Sequence, residues 1–363
     1  MAKQNRKNFM LQGAVLAVSS ILVRIIGIIY RVPLNNILGE KGVAYYSIAF
    51  DVYSLLLLLS SYSLPLAVSK MVSARMAVKQ YRNTKRVFLF ALGFSLLLGI
   101  TAFCIVFFGA DVFARLESYP QAAIAIRVLA PNLIVLSVLG VMRGFFQGMG
   151  NMVPTAFSNI IEQIINAAVS IIAASALFNS AATVAAGTYE FSNVAEALGA
   201  AGGTVGTVAG AVAALAFLIF LFVLYKPTQD RLIRKDTSRY AEPAGAILKT
   251  LVLTIIPVIL STTIYNINSL LDIAVFGNIM NTKDIARDAV DVMTGMFSGN
   301  YRLIVNVPIA LANALSASLI PSIVKSVAQK SRRMVVVKVE AAIKVTMLVA
   351  FPCAVGIGVL AKP

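Results

Sequence analysis

Long apolar runs, broken at short intervals by polar and charged stretches, organise this chain of 363 residues. A helix needs about 20 apolar residues to cross a bilayer. Nine runs meet or approach that length: 9–34, 43–67, 87–108, 124–142, 153–177, 203–225, 247–276, 303–324 and 335–360. The expected fold class is therefore an all-α polytopic membrane protein with about nine transmembrane helices. The stretch 179–203, rich in Ala, Gly and Thr, reads as an outer loop without chemistry of its own. It leads into Gly202, Gly206 and Gly210, whose four-residue spacing predicts a close helix contact.

The breaks alternate in charge. Lys3, Arg6 and Lys7 precede the first run, which is too long for a signal peptide and reads as a retained span. Lys70, Arg75, Lys79, Arg82, Lys85 and Arg86 follow the second. Lys226, Arg231, Arg234, Lys235 and Arg239 follow the sixth, and Lys325, Lys330, Arg332, Arg333 and Lys338 follow the eighth. The intervening breaks carry Asp111 and Glu117, then Glu190 and Glu196, then Asp284, Asp288 and Asp291. Basic loops stay in the cytoplasm, so the N-terminus is expected inside.

Pro65-Leu-Ala67 recurs as Pro308-Ile-Ala310, an offset of 243, which also lays the seventh run on the first and Thr263 on Ser20. An even number of spans per unit keeps the two copies parallel in the membrane. The expected organisation is a six-helix N-terminal lobe, 1–242, and a second lobe, 243–363, of which three helices are present. A chain ending after the third span of its second copy is expected to be a truncated form of a longer transporter.

Composition narrows the class. The chain is 59% hydrophobic and 13% charged, against about 25% charged in a soluble domain. A net charge of +16 would suggest nucleic acid in a soluble protein. Here the basic residues sit between apolar runs, so they read as topology signals beside anionic lipid, with no nucleic-acid partner. There is no His, and Cys104 and Cys353 both fall in apolar runs, which removes a disulfide framework, a zinc-type cluster and an imidazole base. No phosphate-binding P-loop, His-Glu-x-x-His or Gly-x-Ser-x-Gly motif occurs.

Charges inside the runs are few. Arg24 lies deep in the first, among Ile21, Leu22, Ile25 and Ile26. A cation at that depth costs about 2.5–3.5 kcal/mol, so it normally faces a cavity, a partner or an anionic ligand. Arg31, seven residues on, returns to nearly the same face. Arg31 and Arg302 are near enough to span ends to snorkel. A structural ion pair between Arg24 and Glu162 or Asp272 is the alternative to a ligand. Arg127 and Arg143 flank the fourth run and read as anchors. Asp51, Glu162, Asn166 and Asp272 are the candidate cavity or coupling residues. Glu162 and Asn166 share a helix face, and Asn266, Asn268 and Ser269 surround Asp272.

Four stretches resemble bacterial polysaccharide-biosynthesis flippases, above all the sporulation stage V protein B group and its peptidoglycan lipid II flippase relatives. They are Leu22-Val-Arg24-Ile-Ile-Gly-Ile-Ile-Tyr-Arg31-Val-Pro-Leu-Asn-Asn-Ile-Leu-Gly39-Glu-Lys-Gly42, Ser63-Leu-Pro65-Leu-Ala-Val-Ser-Lys70, Arg143-Gly-Phe-Phe-Gln147-Gly-Met-Gly-Asn151-Met-Val-Pro154-Thr-Ala, and Val305-Asn-Val-Pro308-Ile-Ala-Leu. The stretch from Arg143 to Thr155 is the most specific. The resemblance implies a multidrug/oligosaccharidyl-lipid/polysaccharide exporter fold, two lobes around a central cavity. It implies no enzyme and no cofactor, but a transporter moving a saccharide on a polyprenyl pyrophosphate carrier by alternating access. Arg24 matches one of the first-span arginines of lipid II flippases. Arg31 matches the second imperfectly, its spacing being seven where six is usual. The arginine those flippases carry early in the seventh span has no counterpart around Pro257.

The residues then read as follows. Arg24 meets the pyrophosphate, with Arg31 or Arg302 as second contact. Glu162 and Asp272 tune the cavity charge or hold a coupling cation. Two rivals stay open: a cation-coupled small-molecule or multidrug exporter of the same fold, and a non-transporting membrane partner of cell-wall synthesis proteins. A polyprenyl-phosphate glycosyltransferase would need a catalytic carboxylate cluster on a sizeable loop, which the longest loops lack.

Overall fold

The computed structural model describes residues 2–58, 63–184, 189–236, 238, 241–283, 286–297, 304–305 and 331–359. These form helices α1 (Ala2–Leu57), α2 (Leu64–Ala77), α3 (Tyr81–Leu116), α4 (Ala123–Leu129), α5 (Asn132–Gly148), α6 (Val153–Val184), α7 (Tyr189–Arg234), α8 (Ala244–Thr282), α9 (Arg287–Met296) and α10 (Arg332–Val359). No strand occurs among the described residues. Six stretches of them are long and apolar enough to cross a membrane: Val18–Leu57, Tyr81–Leu116, Pro120–Gly148, Val153–Ala181, Val194–Arg234 and Arg332–Val359. The eighth expected run lies almost wholly outside the described residues.

Helix α1 contains two of the expected runs, and Gly39 divides them. Its φ of 65° and ψ of 178° belong to a region only glycine enters without strain. In a continuous helix Arg31 and Tyr46, fifteen residues apart, would be separated by about 22 Å. Instead the Arg31 guanidinium lies 6.0 Å from the centroid of the Tyr46 ring. Gly39 is thus the corner of a helical hairpin, and α1 makes two passes. The second arm resumes as α2, which carries Lys70 and Arg75 within a helix where a loop was expected.

The stretch expected to be an outer loop, 179–203, is mostly helical: α6 continues to Val184 and α7 starts at Tyr189. Alanine is the best helix former, and small residues suit helix contacts in lipid. Between helices in a bilayer there is little hydrophobic gain, so van der Waals packing decides. The expected glycine contact is present. A Cβ at Gly202 would lie 2.5 Å from the Ala173 carbonyl oxygen, and Cβ atoms at Gly206 and Gly210 would overlap the α6 backbone at Ser170 and Glu162. On the same principle α5 seats on α2. A Cβ at Gly144 would lie 2.7 Å from the Pro65 carbonyl oxygen, and one at Gly148 2.6 Å from Val72 Cβ.

The two ends of the molecule differ in charge. At the basic end, Arg75 of α2 pairs with Glu242 just before α8. The Glu242 backbone N–H donates to Asn83 Oδ1 at 3.1 Å. The Arg82 N–H, in the first turn of α3, donates to Asp236 Oδ2 at 2.7 Å. Ile247, Leu251 and Ile255 of α8 join a core with Val68, Met71, Phe88, Phe145 and Leu218. At the opposite end, α9 closes on the α1 corner. The Tyr45 hydroxyl donates to Asp291 Oδ2 at 3.2 Å, and the Tyr119 hydroxyl hydrogen-bonds Thr294. Gly295 backs onto the Glu40 main chain so closely that a Cβ would not fit.

Candidate functional site

The first arm of α1 presents three faces. Val18, Leu22, Ile25, Ile29 and Val32 form an exposed stripe. Tyr30, Leu34 and Leu38 are buried on the other side, with half-buried Gly27 on the same face. At about 100° per residue, Arg24 and Arg31 fall within about 20° of each other, on a flank between these faces. The expected cationic pair therefore shares a face, but its members have different surroundings. Arg24 is exposed. Arg31, half-buried, lies against Tyr46 of the returning arm.

Beside this flank runs a polar seam between α5 and α6. The turn at Gly150, with φ of 82°, folds α6 back along α5, and Asn151 Oδ1 accepts from the Val153 N–H at 3.2 Å. The glycines of α5 face α2, which turns Arg143 and Gln147 towards α6. Arg143 Nη2 donates to Glu162 Oε2 at 2.6 Å, and Arg143 Nε donates to Ser158 Oγ at 3.0 Å. Gln147 Nε2 reaches Thr155 Oγ1 at 3.4 Å. Tyr53, from the second arm of α1, lies within electrostatic reach of Glu162 and accepts a 2.8 Å hydrogen bond from Asn132 Nδ2.

Two contacts fix the height of this seam against α1. A Cβ at Gly27 would meet Gln163 Nε2 at 3.2 Å. Leu38 and Phe178 both touch the space beside Gly199. The first arm of α1 and α6 therefore run the same way, with Gly27 level with Gln163. Arg24 and Glu162 then stand within about 3 Å of each other in height.

Arg143 is thus the partner of Glu162, not the anchor its position suggested, and the alternative pairing of Arg24 with Glu162 gives way to Arg143–Glu162. Asn166 shares the α6 face with Glu162 but turns into α7: its Oδ1 accepts from Ser170 Oγ at 2.9 Å and Thr207 Oγ1 at 3.3 Å, and the residue is buried. Asp51 is half-buried on the second arm. Asp272 belongs to α8, but its side chain lies outside the described residues, as does all of Arg302. Arg127 pairs with Asp111 on the exposed surface. A recess of about 450 Å³ at the basic end, lined by Val78, Lys79, Gln80, Tyr81, Leu232, Lys235 and Ser238, involves none of these residues. No group of three metal-ligating side chains occurs among the described residues.

Residues 10–327 match the family described as polysaccharide biosynthesis protein. The chain is 25% identical over 368 residues to the lipid II flippase MurJ of Bacillus subtilis (strain 168), covering 96% of this chain and 64% of that protein. It is 25% identical over 354 residues to the stage V sporulation protein B of the same strain, again covering 96% and 64%. It thus spans slightly less than two thirds of the length of these relatives. An inward-facing multidrug resistance MATE family transporter of the MOP superfamily superposes with a TM-score of 0.65 at 15% identity, over 95% of this chain and 74% of that one. At that identity the likeness shows the fold alone.

Proposed function

This chain belongs to the polysaccharide biosynthesis protein family, and from that premise we propose that it is a flippase for a polyprenyl-pyrophosphate-linked saccharide. The relatives named as a lipid II flippase and a sporulation protein support a cell-wall or polysaccharide precursor as the substrate class. The observation that carries the reading is Arg24, an exposed guanidinium on a membrane helix, at the height of the polar seam between α5 and α6. A guanidinium presents planar donors that bridge phosphate oxygens. The pyrophosphate docks at Arg24, the saccharide occupies the space between lobes and the prenyl chain stays in lipid. Arg31, engaged by Tyr46, is the weaker second contact, and Arg302 the alternative. Asp51, Glu162 and Asp272 set the charge around the path or hold a coupling cation.

The rest of the proposal is orientation and repeat. The basic end faces the cytoplasm. The lobes are 1–242 and 243–363. The offset of 243 carries residues 44–53 of the second arm of α1 onto 287–296, the bounds of α9. The contact of α9 with α1 would then join one element to its own counterpart, as expected beside an axis relating two copies.

The test is Arg24→Ala in the membrane protein, scored for abundance and for translocation of a lipid-linked saccharide in vesicles. Abundance should stay near wild type while translocation falls at least tenfold. Arg24→Lys should recover part of it, because an ammonium keeps the charge without the planar donor pair. Full translocation by Arg24→Ala would remove the anion-binding role.

A further inference from the structure

We propose that Arg143 forms a second phosphate-binding position, one that the Glu162 carboxylate occupies until a ligand oxyanion displaces it. The inference rests on the reading of Arg24 as a phosphate contact. It adds a residue, Arg143, and gives Glu162 a task other than lining the path. The ligand class is a phosphate or pyrophosphate oxyanion.

A carboxylate and a phosphate offer a guanidinium the same pair of acceptor oxygens. An arginine inside a membrane domain needs an anion when no ligand is present, and Glu162 supplies one at 2.6 Å. The pair is not sealed. The Arg143 side chain keeps 16% of its surface accessible and Glu162 keeps 24%, so an anion can reach both. Its setting is rigid. Gly144 and Gly148 press α5 onto α2, and Ser158 accepts from Arg143 Nε, so the guanidinium stays aimed at α6 when the carboxylate leaves. Arg24 stands within about 3 Å of Glu162 in height, on the neighbouring helix, where Gly27 adjoins Gln163. A diphosphate bound at Arg24 has a second phosphate to place. The structure assigns it to Arg143, with Glu162 turning aside. No bond is made or broken, and the step exchanges one anion for another.

This position has a signature that a merely structural ion pair lacks: removing the carboxylate should strengthen ligand binding. The experiment measures binding of farnesyl pyrophosphate, a short prenyl pyrophosphate, to the purified protein by equilibrium dialysis. Inorganic pyrophosphate runs in parallel and separates a lipid headgroup from the free anion. Thermal melts of every variant check folding. Glu162→Gln should bind farnesyl pyrophosphate about tenfold more tightly than wild type. Arg143→Gln/Glu162→Gln, which keeps a neutral hydrogen-bonding pair at the seam, should lose that gain. Inorganic pyrophosphate should follow the same order more weakly if the prenyl chain adds affinity, and equally if the phosphates alone are read.

Wild-type affinity in both Glu162→Gln and the double variant, beside weakened binding in Arg24→Ala, would overturn the masked position and leave the flippase reading intact. A gain in Glu162→Gln without any dependence on Arg24 would sustain the position and remove Arg24 from the site. No binding of either probe by folded wild type would overturn both.

Discussion

Asp236 shows how one side chain can hold two stretches of chain together. Its carboxylate accepts from the Arg82 N–H, an unpaired donor of the first turn of α3, and from the Ser238 N–H at 2.8 Å. Burial pushes its acidity down, but these hydrogen bonds and the Arg82 charge prevail and hold the carboxyl below the usual carboxylate range. A lowered value stabilises the fold above the ordinary pKa of about 3.9, and that contribution is lost as pH falls through the lowered value. Asp236→Ala should therefore melt below wild type at pH 6–8, by about 1 kcal/mol for a lost cap, with the gap narrowing as pH falls through the lowered value. Detergent melts across that range would measure it, and a gap that widens in acid would contradict the assignment. Other residues were harder to read. Arg143 sits near a span end, where a cation reads as an anchor. Its hydrogen bond to Ser158 follows from a symmetry of position: 143 and 158, like 147 and 155, stand nearly equally far from the turn at Gly150, and Glu162 lies one helical turn beyond Ser158. That signal is in the sequence, but only a helical hairpin gives it meaning.

Among the elements, α6 and α7 make the most extensive contact, and three glycines one helical turn apart are its cause. At Gly206 a side chain would enter the Ser170 and Asn166 backbone, so Gly206→Val should destabilise the protein by about 1–3 kcal/mol through overpacking. Gly93 has open space around its Cβ position, so Gly93→Ala should leave the melt within about 0.5 kcal/mol of wild type or raise it. Equal melts for Gly206→Val and wild type would show that α7 can shift without cost. The glycine spacing made this contact legible in advance, whereas the helical 189–203 stretch was not. Alanine, glycine and threonine without large apolar residues look like a loop until a neighbouring helix is there to pack against. Where the residues are described, the apolar runs are largely helical, because an unpaired backbone is too costly in lipid to leave other choices. Where a run ends was less legible, as α2 shows: Lys70 and Arg75 suggested a loop, yet both lie in a helix whose other face, Leu64, Val68, Met71 and Val72, is buried.

For the molecule as a whole, the separation of charge between the ends makes a topology that can be read from outside. With Cys104 and Cys353 replaced, a cysteine at exposed Lys85 of the basic end should resist an impermeant thiol reagent on intact cells. One at exposed Gln121, beside the Tyr119 contact, should react. Equal labelling of both would reverse or abolish the proposed orientation. The hairpin at Gly39 bears on how such a molecule is made. The first arm leaves the ribosome carrying Arg24 and Arg31, each unfavourable by about 2.5–3.5 kcal/mol at mid-bilayer. The Tyr46 ring that receives Arg31 is synthesised fifteen residues later, roughly one to three seconds at about 5–20 residues per second. During that interval the second cation has Tyr30, its neighbour on the same arm, but not yet Tyr46. Releasing the two arms into lipid together would spare the first arm the interval without the Tyr46 contact.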